Sequence, residues 1–264
     1  MTSLPLVNGR VPGRRPASST PRPFGVPPET ASGPLPERLT ELRSRYGALE
    51  GAALLEKMIE TEFPDRIAVV SSFGAESVIL LHLVARIDPS TPVLFLNTGK
   101  LFPETLRYRD RLQDALGLAD LRSIHPHPED KRSHDPDGIL WNQNPDLCCE
   151  FRKVRPLRQA MRSFDAQITG RKRFQTGARR SMPAIEFAEG RFKINPLADW
   201  SLGRLADYIE EHKLPKHPLV KDGYPSIGCM PCTIRVQPGG DYRSGRWSGF
   251  DKDECGLHTD GGGI

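Results

Sequence analysis

No apolar run in this 264-residue chain approaches the length of a membrane span, which excludes a membrane-spanning helix. Net charge is scarce as well: a dispersed +4 is too little to mark a nucleic-acid surface, although a local anion site needs no more. Two phosphate signatures are missing, the Gly-Lys-Ser/Thr ending of a Walker loop and the Gly-x-Gly-x-x-Gly dinucleotide fingerprint. Acids almost vanish from residues 1–36, where Glu29 stands alone against four Arg and nine of the 25 prolines. Such a stretch buries too little apolar surface to offset its ordering entropy, and its prolines defeat an amphipathic helix. It is expected to be a disordered leader. Cysteine is sparse and odd in number, five in all, with no recognisable signal peptide, so reduced thiols and a cytoplasmic setting are expected rather than disulfides.

What is present begins at Glu37, where Leu39, Leu42, Tyr46 and Leu49, then Leu54, Leu55, Met58 and Ile59, recur at helical spacing before Pro64. Strand-like runs at Ile67–Val70, Val93–Leu96 and Leu121–Ile124 then alternate with helical stretches to about Ile87 and over Pro103–Leu116. This βαβα order predicts an α/β fold, a parallel twisted sheet with helices on both faces. Further strands are expected at Ala166–Gly170, Ala184–Phe187 and Phe192–Asn195, the last two around a Glu189-Gly190 turn. A final helix is capped by Asp199 or Ser201 and ended by Pro215.

Ligands in such sheets bind at the carboxyl ends of strands. Three loops fall there. The first, Ser71, Ser72, Phe73, Gly74, Ala75, Glu76 and Ser77, is small, hydroxyl-rich and opens a helix, which suits either a phosphate or sulfate cradle or ordinary capping. The second is Asn97-Thr98-Gly99-Lys100. The third follows Thr169-Gly170 with Arg171, Lys172, Arg173, Arg179 and Arg180, whose guanidinium forks match phosphate oxygens, and at least one of these cations is expected to be a ligand. Residues 125–144 show little periodicity and read as a long surface loop in which His125, His127 and His134 have no assigned role.

Four cysteines form two tight pairs, Cys148-Cys149 and Cys229-Met230-Pro231-Cys232. Four thiolates suit a structural zinc ion or an iron-sulfur cluster, and adjacent cysteines fit awkwardly around one tetrahedral ion, which favours the cluster. Asp146 is the expected N-cap of the helix carrying Cys148 and Cys149. Lys153 lies four residues past Cys149, where its charge favours thiolates and reaches toward an anionic substrate. The fifth cysteine, Cys255, stands alone in a glycine-rich C-terminal segment expected to be mobile, and is read as a reactive thiol. Asp251, Asp253 and Glu254 would raise its pKa, so its activation has to come from cations met when the segment closes, with His258 as a helper.

Taken together, the Ser71 to Ser77 loop, Cys148-Cys149 with Arg152-Lys153, the Cys229 to Cys232 motif and Glu254-Cys255-Gly256-Leu257-His258 resemble the assimilatory adenylylsulfate reductases. These are thioredoxin-dependent sulfonucleotide reductases related to ATP-pyrophosphatase (adenine nucleotide alpha hydrolase-like) domains, and the likeness runs from about Gly51 to His258. The resemblance implies a 4Fe-4S cluster on Cys148, Cys149, Cys229 and Cys232, with Lys153 linking cluster and substrate. It implies attack by Cys255 on adenosine 5′-phosphosulfate, release of AMP, and reduction of the S-sulfocysteine by a separate thioredoxin. The substrate contacts it implies are the Ser71 to Ser77 loop, Thr98, Gly99, Gly170, Arg180, Arg243 and Arg246. One departure is Asn97, where the family usually carries aspartate in Leu-Asp-Thr-Gly. The implied organisation is a leader at 1–36, an α/β domain at 37–232 and a nucleophile-bearing segment at 233–264. Competing readings are a 3′-phosphoadenylylsulfate reductase, an adenylating ATP pyrophosphatase and a zinc-stabilised binding module. Self-association into a homo-oligomer is left open.

Overall fold

The structure, a computed structural model, describes residues 35–247, 249–250, 252, 254 and 256–257. The leader, Cys255 and His258 therefore lie outside the described residues, except that the first helix already begins at Leu35. That helix, α1 (Leu35–Tyr46), is followed by α2 (Gly51–Glu56), which widens into a π-helical stretch at Lys57–Glu62.

Strand β1 (Ile67–Ser71) runs through the middle of the sheet, and its β-branched residues alternate between two cores. Ile67 and Val69 face one helical layer, with Leu54, Ile79 and Leu81, while Ala68 faces the other, with Leu157, Met161 and Phe164. Helices therefore cover both faces, as the apolar runs predicted. After α3 (Ser77–Ile87), β2 (Val93–Leu96), α4 (Pro103–Leu116) and β3 (Leu121–Ile124) build outward on one side of β1. The chain then crosses back through α5 (Pro128–His134), α6 (Leu140–Gln143), α7 (Pro145–Cys149) and α8 (Arg155–Ala160) to place β4 (Ala166–Ile168) on the other side. This reversal between β1 and β4 is the switch point at which open α/β sheets form their binding crevice.

Several sequence expectations are corrected. The sheet, ordered β3-β2-β1-β4-β6-β5, is not wholly parallel: β5 (Ile185–Ala188) runs antiparallel to β6 (Arg191–Ile194). Their two-residue turn, Glu189-Gly190, has φ +56° and +75°, the positive values that tight antiparallel hairpins favour. Strand β4 stops at Ile168. The stretch 125–144 is no continuous loop, because it holds α5 and α6, started by Pro128 and by the Asp135 side chain that accepts from Leu140 N. The N-cap of α7 is Asn144, whose Oδ1 accepts from Leu147 N at 2.9 Å, not Asp146, since Pro145 already occupies the first helical position. Finally, the segment from 233 is packed on the domain as far as Trp247. Ile234 N donates to Gly245 O at 2.8 Å, and a Cβ on Gly245 would fall 2.3 Å from Ile234 O, so only glycine permits that approach.

The last helix, α9 (Leu202–Glu211), is capped by Ser201, which accepts from Arg204 N, and ends at Glu211, before Pro215. His217 then ties the following segment to α4. Its Nδ1 accepts from Leu219 N, which leaves Nε2 to donate to Thr105 Oγ1 at 3.1 Å. Burial pushes this ring down to about 4 from its ordinary 6.5. The unfolded chain takes up a proton near 6.5, whereas the folded chain resists until about 4. The neutral ring contributes fully above pH 6.5, and its contribution is lost as the pH falls toward 4, by up to about 3 kcal/mol. Urea denaturation at pH 7 and pH 5 should show this loss, and His217→Gln should flatten it. An equally steep loss in the variant would assign it to other groups.

Candidate functional site

A cleft opens at the carboxyl ends of β1, β2 and β4. Its floor is the loop after β1, but not all of that loop. Ser71, Ser72, Gly74, Ala75, Glu76 and Ser77 line the cleft, whereas Phe73 turns away at φ +51° into the core and meets Phe95 edge-on at 5.3 Å. Ser71 Oγ accepts from Phe73 N at 3.1 Å and holds that turn. Phe73 is thus a plug that shapes the loop.

Glu76 is expected among the substrate contacts, yet its carboxylate already serves the protein. Oε1 accepts from Tyr242 Oη at 2.7 Å, and Oε2 accepts from Lys172 Nζ and from Gln175 Nε2. Burial lowers the pKa of Lys172, and the charge of Glu76 works against that shift. Arg171 is likewise committed, to Thr169, Glu186 and Asn195. Gly170, Arg243 and Arg246 line the cleft as expected.

Two expected contacts do not. Gly99 lies outside the lining, while its neighbour Thr98 lies within it. Arg180 is exposed and belongs to a separate cationic surface pocket with Arg173 and Lys252; Arg179 is buried and lines the cleft instead. The two arginines fall on a tight turn of about three residues, so consecutive side chains point far apart, and spacing alone does not tell which one faces inward. Lys172 and Arg179 were legible only as members of the dense run of cations after β4, and Tyr242, which also lines the cleft, had no signal in the sequence reading.

Of the four described thiols, Cys229 lines this cleft. No disulfide joins the four described cysteines, of which Cys148, Cys149 and Cys229 are buried. After Cys149 the helix widens into a π-helical stretch, Glu150–Val154, closed by Arg155 N donating to Glu150 O. Pro156 explains it: with no N–H for the Arg152 carbonyl and a ring that crowds it, the turn has to widen. Lys153 lines the cleft and hydrogen-bonds toward Cys229 rather than simply sharing a helical face with Cys149. Burial would raise the Cys229 thiol pKa. Lys153, the hydroxyl of Thr98 at 3.3 Å and Arg246 together outweigh it and hold the thiol below its ordinary value. Cys148 goes the other way, up to about 11, through burial and then the neighbouring Cys149 and Cys229. Cys232 is raised by burial and then by Cys229. Among the described residues no three His, Cys, Asp or Glu gather closely enough to hold a metal ion.

Asn97 keeps a hydrogen-bonding role without a charge: its Oδ1 accepts from Gly99 N at 3.1 Å and shapes the loop that presents Thr98. Behind that loop lies a buried ion pair. Arg152 Nη1 donates to Thr98 O at 2.7 Å and Nη2 to Asp135 Oδ2 at 2.5 Å, with side-chain exposures of 4% and 1% for the two partners. Removing Asp135 would leave the guanidinium buried without its partner. Asp135→Ala should destabilise the fold by about 3–5 kcal/mol, read as a fall in the urea midpoint, whereas a loss under about 1 kcal/mol would mean that the pair is not structurally required.

The described residues contain no helix long and apolar enough to cross a membrane. Residues 66–235 match the family described as phosphoadenosine phosphosulfate reductase domain. The chain is 49% identical over 220 residues to the adenosine 5′-phosphosulfate reductase of Mesorhizobium japonicum, covering 83% of this chain and 87% of that one. It is 38% identical over 226 residues to the phosphoadenosine 5′-phosphosulfate reductase of Gloeobacter violaceus, covering 84% and 93%. Among solved structures, the phosphate complex of phosphoadenylyl-sulfate reductase from Candida auris superposes with a TM-score of 0.65 at 25% identity, over 79% of this chain and all of the other. With the cleft, the sheet and these likenesses in agreement, the chain belongs to the phosphoadenosine phosphosulfate reductase domain family.

Proposed function

We propose that this protein reduces adenosine 5′-phosphosulfate to sulfite and AMP in sulfate assimilation. The observation that carries the reading is one cleft in which a hydroxyl-rich loop at a strand-helix junction and the cations Lys153, Arg243 and Arg246 converge beside the free thiol of Cys229. Such a site suits a doubly anionic phosphosulfate, and the cations offset charge that develops on the departing phosphate. The choice of substrate rests on relatives named adenosine 5′-phosphosulfate reductase at up to 49% identity; the 3′-phosphorylated alternative, borne by a relative at 38%, is not favoured.

In the proposed reaction the thiolate of Cys255 attacks the sulfuryl sulfur. An S–S bond forms, the S–O bond to AMP breaks, and its electron pair leaves with the phosphate oxygen. A dithiol protein of the thioredoxin kind, in the reducing cytoplasm, then supplies two electrons, releases sulfite and ends as a disulfide. In this scheme residues 37–232 form the substrate domain, residues 233–264 carry the nucleophile, and His258 assists it.

A 4Fe-4S cluster on Cys148, Cys149, Cys229 and Cys232 is part of the proposal. The donor set fits: all four groups are thiols, and Lys153, Arg152 and Arg246 bring positive charge to offset thiolate charge. When bound, such a cluster supplies a fixed charge distribution beside the substrate. Lys153, which reaches both Cys229 and the cleft, is proposed to orient the phosphosulfate.

Two experiments test the reading. Anaerobic incubation with adenosine 5′-phosphosulfate, followed by peptide mass analysis, should place one sulfo group on the Cys255 peptide, removable by reduced thioredoxin and absent from Cys255→Ser. No adduct on intact protein would overturn the reductase reading. Separately, Cys229→Ser should lose bound iron and visible absorbance and unfold at lower denaturant. Retention of full iron would overturn the ligand assignment.

A further inference from the structure

Two contacts flank position 255. Before it, Glu254 reaches the cleft wall: Arg179 Nη2 donates to Oε2 at 2.7 Å, and Oε1 lies 2.7 Å from Arg179 Nε as a charge contact. Thr176 Oγ1 donates to the same carboxylate at 3.4 Å. Both side chains are largely withdrawn from water, at 10% and 14% exposure, where an ion pair is little screened. After it, Leu257 packs against the apolar cluster that contains Leu96, Leu157 and Met161. Gly256 joins the two at φ +77°, a conformation that favours glycine. Glu254 and Leu257 both line the cleft, the first held by an ion pair and the second by apolar packing. Gln175 in turn holds Arg179, accepting from its Nη1.

We infer that Arg179 and Glu254 are a positioning pair that sets the chain on either side of Cys255 over the cleft for sulfur transfer. The inference rests on the reductase reading, and it assigns the pair to the first step alone, S–S bond formation with departure of AMP. The second step, in which a protein dithiol supplies two electrons and frees sulfite, needs Cys255 reachable from outside and gains nothing from the pair. The contact also explains how an acid tolerates a place next to a nucleophile. Unpaired, Glu254 would disfavour the thiolate; facing a guanidinium, its charge is largely compensated. Arg179 therefore acts through Glu254 and not as a ligand of the phosphosulfate.

The test separates the two steps in Glu254→Gln, Arg179→Met and the double variant. Rapid-quench single turnover with adenosine 5′-phosphosulfate, read on the Cys255 peptide, measures transfer. Reduced thioredoxin added to protein already sulfonated measures release. Glu254→Gln should slow transfer roughly tenfold or more, with little change in the substrate concentration for half-maximal rate and no change in release. The double variant should be no slower than the slower single one, because the pair is one interaction. Transfer at the wild-type rate in Glu254→Gln would overturn the inference, as would equal losses in both steps, which a merely structural contact would produce. A steep rise in half-saturating substrate for Arg179→Met, with Glu254→Gln unimpaired, would make Arg179 a substrate ligand and also overturn it. Absence of any adduct in the wild-type protein would instead bring down the reductase reading, and this inference with it.

Discussion

Glu76 takes donors from two distant stretches of chain: Lys172 and Gln175 from the segment after β4, and Tyr242 from the C-terminal segment, 166 residues away in sequence. A carboxylate with 13% side-chain exposure needs such partners, because burying a charge without them is costly. The same need runs in reverse for Lys172, where burial lowers the pKa and the charge of Glu76 opposes that shift. One ion pair with two neutral donors thus holds the floor of the cleft, its cationic wall and its C-terminal cover in one arrangement. Glu76 sits at the start of α3 in a loop that looks like a ligand cradle, but its lone pairs are committed to the frame. Ligand binding then falls to the hydroxyls, backbone and cations that Glu76 holds in position.

A second constraint operates at the thiols. Burying sulfur raises its pKa, and a neighbouring thiolate raises it further, which is the direction for Cys148 and Cys232. Cys229 departs from the pattern because Lys153, Thr98 and Arg246 all converge on it. Lys153 gets there through the π-helical stretch that Pro156 imposes, and Thr98 through a loop braced by Asn97 and by Arg152 from behind. The arrangement links the thiol corner to the substrate cleft through side chains that belong to both. Electrostatics in one is felt in the other.

Much of this was legible beforehand where the physics is local. Ile67–Val70 and Val93–Leu96 are β-branched or apolar through their length, so buried parallel strands were readable, and the hydroxyl-rich loop after β1 announced its own position at a strand end. The two short strands around the Glu189-Gly190 turn were legible as well; what was not is that β6 joins the parallel sheet beside β4 and leaves β5 antiparallel at its edge, because that pairing is long-range. Residues 125–144 were missed as helices because α5 and α6 are short, and Asp135, which starts α6, is held by Arg152 from a distance. That Arg179 rather than Arg180 lines the cleft was hidden for a similar reason: neighbouring residues of one type carry no sign of which way the chain will turn them.

The sequence by itself determined the alternation of strands and helices, the two-sided burial of the sheet, the placement of ligand loops at strand ends, and the pairing of four cysteines in two short motifs. Each of these follows from residue spacing within one or two turns of chain, or from a known signature read whole. Tertiary structure decided which cations face the cleft, which loop residues are plugs or braces, and which carboxylates are already paired. Glu76 with Tyr242, Arg179 with Glu254 and Arg152 with Asp135 meet across 166, 75 and 17 residues. Partners so far apart are chosen by the path of the folded chain and by the penalty for leaving a buried charge alone, neither of which is written in local pattern.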